Sequence, residues 1–190
     1  MGWNLQQVNS SGGITNGPAT VGNPFVSVYN GQQHVGYRDA GGTIWDSFYR
    51  PDTEKWSLQQ VNNGGVTKGP VAVLGPFIGV YHDQQHFAYL DSAGNLWDSW
   101  YDGSSWGLQK INAGGNTSGP AAQTGGPANL VSIWTDPSNT QQHFTYLGRD
   151  NAIYDAFWDS DSGSWHLQKI NLGGVTNGPA ASSSPFGCGS

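Results

Sequence analysis

The sequence predicts an all-β fold built from a repeated unit of short antiparallel strands. Three observations carry that prediction. One segment, beginning Trp-x-Leu-Gln, occurs four times in register along the 190 residues. The 29 glycines and 10 prolines punctuate the chain at short intervals, which is turn chemistry. Aromatic residues make up 13% of the chain, with nine Trp, while charged residues make up only 11%. A disordered chain is poor in aromatics, so this glycine-rich chain has the means to build a core.

The repeat is read most easily from its last strand, D. "WNLQQVN" at 3–9 returns as "WSLQQVN" at 56–62, "WGLQKIN" at 106–112 and "WHLQKIN" at 165–171. Its Trp residues fall 53, 50 and 59 residues apart. Each copy runs into a glycine loop: "GGITNGP", "GGVTKGP", "GGNTSGP" or "GGVTNGP". Strand A follows as "PFVSVYN", "PFIGVYH" and "ANLVSIWT", and strand B as "QQHVGYRD", "QQHFAYLD" and "QQHFTYLG". Tight turns "DAGG", "DSAG" and "GRDN" lead into strand C, "TIWDSFY", "NLWDSWY" and "AIYDAFW". The longest period carries extra residues around "TDPSNT" and "DSDSGS", which read as surface-loop insertions.

These segments are rich in Val, Ile, Tyr, Phe and Trp, as strands are. Along "TIWDSFY", Ile44, Asp46 and Phe48 point one way, and Trp45, Ser47 and Tyr49 the other. Aromatics on both faces require protein cover on both. Four antiparallel strands per unit, covered on both faces by neighbouring units, is the pattern of a β-propeller blade. The expected division is a leading D strand and loop at 1–23, blades at 24–75, 76–126 and 127–175, and a tail or start of a next blade at 176–190. A closed propeller has about four to eight blades. About three per chain therefore predicts closure between chains, six blades arising from a homodimer or an equivalent homo-oligomer; a fragment of a longer propeller is the alternative.

Composition excludes several partners. Net charge is −6 with seven Lys plus Arg, and the clustered basic residues of a nucleic-acid footprint are missing. No apolar run is long enough for a membrane-spanning helix. The first residues show no basic and apolar leader, which leaves cytosolic and secreted locations both open. The one cysteine, Cys188, excludes an internal disulfide and a cysteine zinc site. His82 and His86 share a strand face, but this pair has no counterpart in the other repeats, so no metal and no cofactor is expected. His82 and the equally unrepeated His166 read as surface residues.

The chemistry-bearing residues recur: Gln32-Gln33-His34, Gln84-Gln85-His86 and Gln141-Gln142-His143, followed by Asp46, Asp98 and Asp155. Catalysis needs one asymmetric constellation, such as two carboxylates in unequal surroundings, so threefold repetition argues against an enzyme. A His on strand B pairing with an Asp on strand C across the hairpin, His34 with Asp46, would tie a blade together. Two adjacent Gln must point to opposite faces, so one of them faces a ligand or a loop.

Repetition has a use if each copy is a weak binding site, because repeated sites gain avidity on a multivalent surface. Sugars offer apolar C–H faces to aromatic rings and hydroxyl edges to amides and imidazoles. The candidate polar edge is Gln33, Gln85 and Gln142 with His34, His86 and His143. The candidate platforms are Trp45, Trp97 and Tyr154, or the D-strand residues Trp56, Trp106 and Trp165, which otherwise serve as blade anchors. Asn62, Asn112 and Asn171, beside the glycine loops, are rim or turn residues.

The segment "WHLQKINLGGVTNGPAA" with "QQHFAYLDSAGNLWDSWYDGSSW" resembles the blade pattern of β-propeller lectins. It is nearest to the Photorhabdus-type propeller lectins and more distantly similar to the fungal and bacterial fucose-binding propellers. The resemblance covers essentially the whole chain. It implies a carbohydrate-binding protein without catalysis, with sites in or between blades, that binds glycans or glycoconjugates and assembles rings from repeated units. The Arg, Glu and Trp of the fucose-binding sites have no repeated counterpart: Arg38, Arg50 and Arg149 are not equivalent, and the one Glu is Glu54. A scaffold for protein–protein contacts and the binding part of a sugar-processing hydrolase are the alternative readings.

Overall fold

The computed structural model describes residues 5–125 and 131–182. Its described residues form twelve strands in three four-stranded antiparallel sheets, each in simple sequence order. Blade 1 is β1 (Phe25–Tyr29), β2 (Gln32–Arg38), β3 (Ile44–Arg50) and β4 (Lys55–Gln60). Blade 2 is β5 (Leu74–Tyr81), β6 (Gln84–Leu90), β7 (Leu96–Tyr101) and β8 (Trp106–Lys110). Blade 3 is β9 (Ser132–Thr135), β10 (Gln141–Leu147), β11 (Ile153–Asp159) and β12 (Ser164–Lys169). The fold is all-β with three propeller blades, as the repeat predicts.

Turn chemistry sets the register. The A–B hairpins of blades 1 and 2 turn on two residues with positive φ, Asn30 (49°) with Gly31 (70°) and His82 (45°) with Asp83 (57°). Two consecutive left-handed residues match the twist of the flanking strands. At the B–C turn, Asp39 Oδ1 accepts N–H bonds from Gly41 (2.8 Å) and Thr43 (3.0 Å), and Asp91 Oδ1 accepts the same pair from Ala93 and Asn95.

The glycine loops join one blade to the next. Thr67 donates its hydroxyl to Val61 O at 2.7 Å and also meets Ser99 on strand C of the next blade at 2.9 Å. Thr15 repeats both contacts with Val8 O and Ser47. The glycine of each Gly-Pro step packs on strand B of the next blade. A Cβ at Gly17, Gly69 or Gly119 would come within 2.1, 2.0 or 2.2 Å of the hydroxyl of Tyr37, Tyr89 or Tyr146. Between blades 1 and 2 lies a core of Ile44, Val61, Ala72, Phe87 and Tyr89; between blades 2 and 3 lies one containing Phe77, Leu96, Ile111 and Phe144. Full burial of a Phe such as Phe87 or Phe144 contributes about 2–3 kcal/mol.

Three features differ from the sequence-based expectation. The leading segment has the D-strand sequence, yet its described residues 5–8 are not in a strand. A D strand is held by a C strand beside it, and among the described residues no C strand pairs with this segment. The glycine loop that follows is intact all the same, with Ile14 N donating to Gln7 O and Thr15 N to Val8 O. The insertion around residues 136–140 is tied down rather than free: Tyr81 Oη donates to Thr140 O at 3.0 Å and His82 Nε2 to Asn139 O at 2.6 Å. His82 is exposed, as expected of a surface residue, and its ring also ties blade 2 to blade 3. Strand D also ends earlier than its motif: β4 stops at Gln60, and Val61 and Asn62 belong to the loop. Cys188 lies outside the described residues.

Candidate functional site

Each blade carries the same three-residue hydrogen-bonded network. His34 Nδ1 donates to Asp46 Oδ2 at 3.0 Å, His86 to Asp98 Oδ2 at 2.9 Å and His143 to Asp155 Oδ2 at 2.9 Å. A carboxylate only accepts, so the Nδ1 atom carries the proton. The third member comes from strand D: Gln59, Gln109 and Gln168 each donate Nε2–H to the same carboxylate oxygen at 2.9 Å. The three Asp residues are buried, and so are the three His residues. The expected His–Asp pairing is present in all three blades; the strand-D glutamines were not foreseen, although Leu-Gln recurs in every repeat.

The other ring nitrogen is left over. Nε2 of His34, His86 and His143 is buried without a hydrogen-bond partner. With Nδ1 protonated, the neutral ring presents Nε2 as an acceptor. A buried acceptor left unpaired costs about 1–3 kcal/mol, which a ligand hydroxyl would recover.

Two of these imidazoles line clefts between blades. The first cleft, about 320 Å³, has Tyr29, Gln32, His34, Phe48, Arg50 and Gln59 on the blade 1 side. Gln85, Tyr101, Gly103 and Trp106 face them from blade 2. The second cleft, about 290 Å³, has Tyr81, His82, Gln84, His86, Trp100 and Gln109 from blade 2, and Gln142, Trp158 and Trp165 from blade 3. Position by position the two are equivalent, because the same face of each blade meets the opposite face of the next. The aromatic wall is a preset pair: Tyr101 lies 5.2 Å from Trp106, and Trp158 lies 6.0 Å from Trp165. In the second cleft Gln142 Nε2 is a buried donor without a partner, complementing the His86 acceptor.

Among the sequence candidates, the fold brings His34, Gln85 and Trp106 together in the first cleft and His86, Gln142 and Trp165 in the second. Gln33 and Trp56 stand on the other face of blade 1, where Trp56 packs 5.8 Å from Tyr49 and Gln33 is exposed. His143 lines neither cleft; it is buried, stacked on Trp134 at 3.8 Å and on Phe157 at 5.1 Å. Trp45, Trp97 and Tyr154 lie at the opposite end of the blades, where each bonds the B–C turn: Trp45 to Asp39, Trp97 to Asp91 and Tyr154 to Asp150, all at 2.9 Å. Asn62 and Asn112 are turn residues and not rim residues. Asn112 Oδ1 accepts from Leu96 N, and its Nδ2 donates to Gly94 O and Pro120 O. Strand-C aromatics that the sequence did not single out also line the clefts, Phe48 and Trp100 with Tyr101 and Trp158; their signal is the alternation of strand C, which places aromatics on both faces.

Burial raises the Tyr29 and Tyr81 hydroxyls above the usual phenol range, with nearby charges adding to it: Tyr101, Asp102 and Asp83 for Tyr29, and Asp136, Asp159 and Asp161 for Tyr81. Both stay neutral donors at ordinary pH. Among the described residues no group of three His, Cys, Asp or Glu is placed to hold a metal ion. No helix of the described residues is long and apolar enough to cross a membrane.

No protein-family model matches the chain, and no curated protein does. Solved structures do match, among them that of the SapL1 lectin in complex with α-methyl fucoside. The identity is 16% and the TM-score 0.53; the match covers 79% of this chain and 45% of that one. The likeness is one of fold, and this chain spans less than half the length of that lectin.

Proposed function

We propose that the protein is a carbohydrate-binding lectin whose sugar sites are the clefts between blades, repeated for multivalency and without catalysis. One observation carries this: the same juxtaposition occurs twice, an unpartnered buried imidazole nitrogen on one blade facing a preset aromatic pair and an amide on the next. A pyranose needs those two things together, a flat apolar wall for its C–H face and fixed hydrogen-bonding groups for its hydroxyls. The solved lectin of similar fold supports the reading. Each His–Asp–Gln network holds a single carboxylate, whereas glycoside hydrolysis uses two. A glycan array tests the proposal: it predicts retention of defined glycans, and a clean array with a folded protein would leave the scaffold reading.

We extend this to ring closure by a second copy. Gln33 is exposed, while its counterparts Gln85 and Gln142 are 1% and 3% exposed beneath the preceding blade. Val26 is 67% exposed, while its counterparts Ile78 and Ile133 pack on the preceding blade at Gly36 and Gly79. At the other end, Gly178 meets no strand-B tyrosine, unlike Gly17, Gly69 and Gly119. The leading loop already sits on blade 1, so the terminal loop of a second copy competes with it for that seat. Mass in solution tests the extension: two chains are expected, and a strict monomer at all concentrations overturns it.

A further inference from the structure

The two clefts are equivalent in position but differ in charge: the lining of the first includes an arginine, and that of the second has no Lys, Arg, Asp or Glu. Residue 50 closes strand C of blade 1 as Arg, and the same register position is Asp102 in blade 2 and Asp159 in blade 3. Arg50 shares the strand face of Asp46 and Phe48 and lines the first cleft. Directly across the ladder from it stands Lys55, a second cation on that face. Like charges set opposite one another weaken a sheet, and an anion between them removes that cost.

The anions already present leave the guanidinium available. Asp52 bonds Arg50 Nη2 at 3.3 Å, with the two side chains 63% and 45% exposed. An exposed pair of this kind is worth little and exchanges readily. Glu54 stands in the same turn and is exposed. Asp83 and Asp102 reach Tyr29 from blade 2, but both Asp102 oxygens are occupied by Ser104 and Ser105. The second cleft has no Lys, Arg, Asp or Glu in its lining.

We propose that the clefts select sugars by charge. The first takes a carboxylate-bearing sugar, a uronic or sialic acid, with its carboxylate on the Arg50 guanidinium and Lys55 beside it. The second, which has no cation in its lining to hold a carboxylate, takes a neutral sugar. The inference rests on the clefts being sugar sites. A planar guanidinium fork matches a carboxylate, which makes Arg50 the residue that reads the charge.

The test is a glycan array holding neutral and acidic glycans, read with wild type, Arg50→Asp and Trp165→Ala. Both classes are expected to bind wild type, with only the acidic signals falling as salt rises. Arg50→Asp is expected to lower the ratio of acidic to neutral signal at least tenfold, and Trp165→Ala to raise it. Neutral binding without acidic binding in wild type overturns the charge selection and leaves the sugar sites standing. An unchanged ratio in Arg50→Asp, confirmed folded by its melting temperature, overturns it equally. Binding of neither class overturns both readings.

Discussion

His86 Nδ1 lies 2.9 Å from Asp98 Oδ2, although the ladder between β6 and β7 sets His86 opposite Trp100 and Asp98 opposite Ala88. The two are diagonal neighbours on one face. The imidazole is thereby pinned with Nε2 facing the second cleft. One contact thus serves the blade and the site, and its removal tests both.

Asp98→Ala leaves the imidazole N–H and the Gln109 amide without their acceptor inside the blade. It is expected to destabilise the protein by about 3 kcal/mol, read as a lower urea midpoint. An unchanged midpoint would show that the network does not hold the blade.

Asn112 is fully buried and joins strand C, the B–C turn and the glycine loop through three bonds to backbone atoms. Asn112→Ala strands the Leu96 N–H and is expected to cost about 2 kcal/mol. Its sugar binding should survive under conditions where the fold does, because Asn112 lines neither cleft. Selective loss of binding at full stability would return this residue to the rim.

Gly17, Gly69 and Gly119 seat their loops against a tyrosine hydroxyl, and among the described residues, its chain neighbours apart, none comes closer than 3.5 Å to a would-be Cβ at Gly178. Alanine at 69 or 119 is expected to cost about 1–3 kcal/mol through overpacking. Alanine at 178 is expected to leave the melting temperature of the single chain unchanged. Equal effects at all of these positions would contradict the blade-to-blade seating.

The sequence carried the strand order, the turns and the His–Asp pairing, because each recurs at a fixed spacing and the pairing partners lie in one hairpin. The clefts were harder to see. Their two walls come from different blades, so His34 and Trp106 are 72 positions apart and nothing local links them. Trp45 and Trp97 looked like platforms as readily as Trp106 and Trp165 did. Only the position of the B–C turn, with Asp39 and Asp91 waiting for an indole N–H, separates the two sets. The exposure of Gln33 against the burial of Gln85 likewise depends on what precedes the blade, not on the motif.

Asp102 has its carboxyl held well below the usual carboxylate range by the N–H groups of Ser105 and Ser104 and by the Ser104 hydroxyl. A depressed value in the folded state means that this turn is stabilised above the unfolded value, about 3.9, and loses that support as pH falls through the folded one. Titration of the Asp102 carboxyl carbon by NMR should give a midpoint below that of an unfolded Asp peptide. Ser105→Pro, which removes the first donor, should move it upward. A midpoint at the peptide value in the native protein would contradict the turn geometry.

The central claim is that the clefts between blades bind sugar through their aromatic walls. It is tested most directly by calorimetric titration of an array-selected glycan into wild type and into Trp106→Ala/Trp165→Ala. Each indole lies at a cleft wall and is only partly buried, so the double variant should fold. The account predicts saturable binding to wild type and at least a tenfold loss of affinity in the folded double variant. Undiminished binding by the double variant would contradict it.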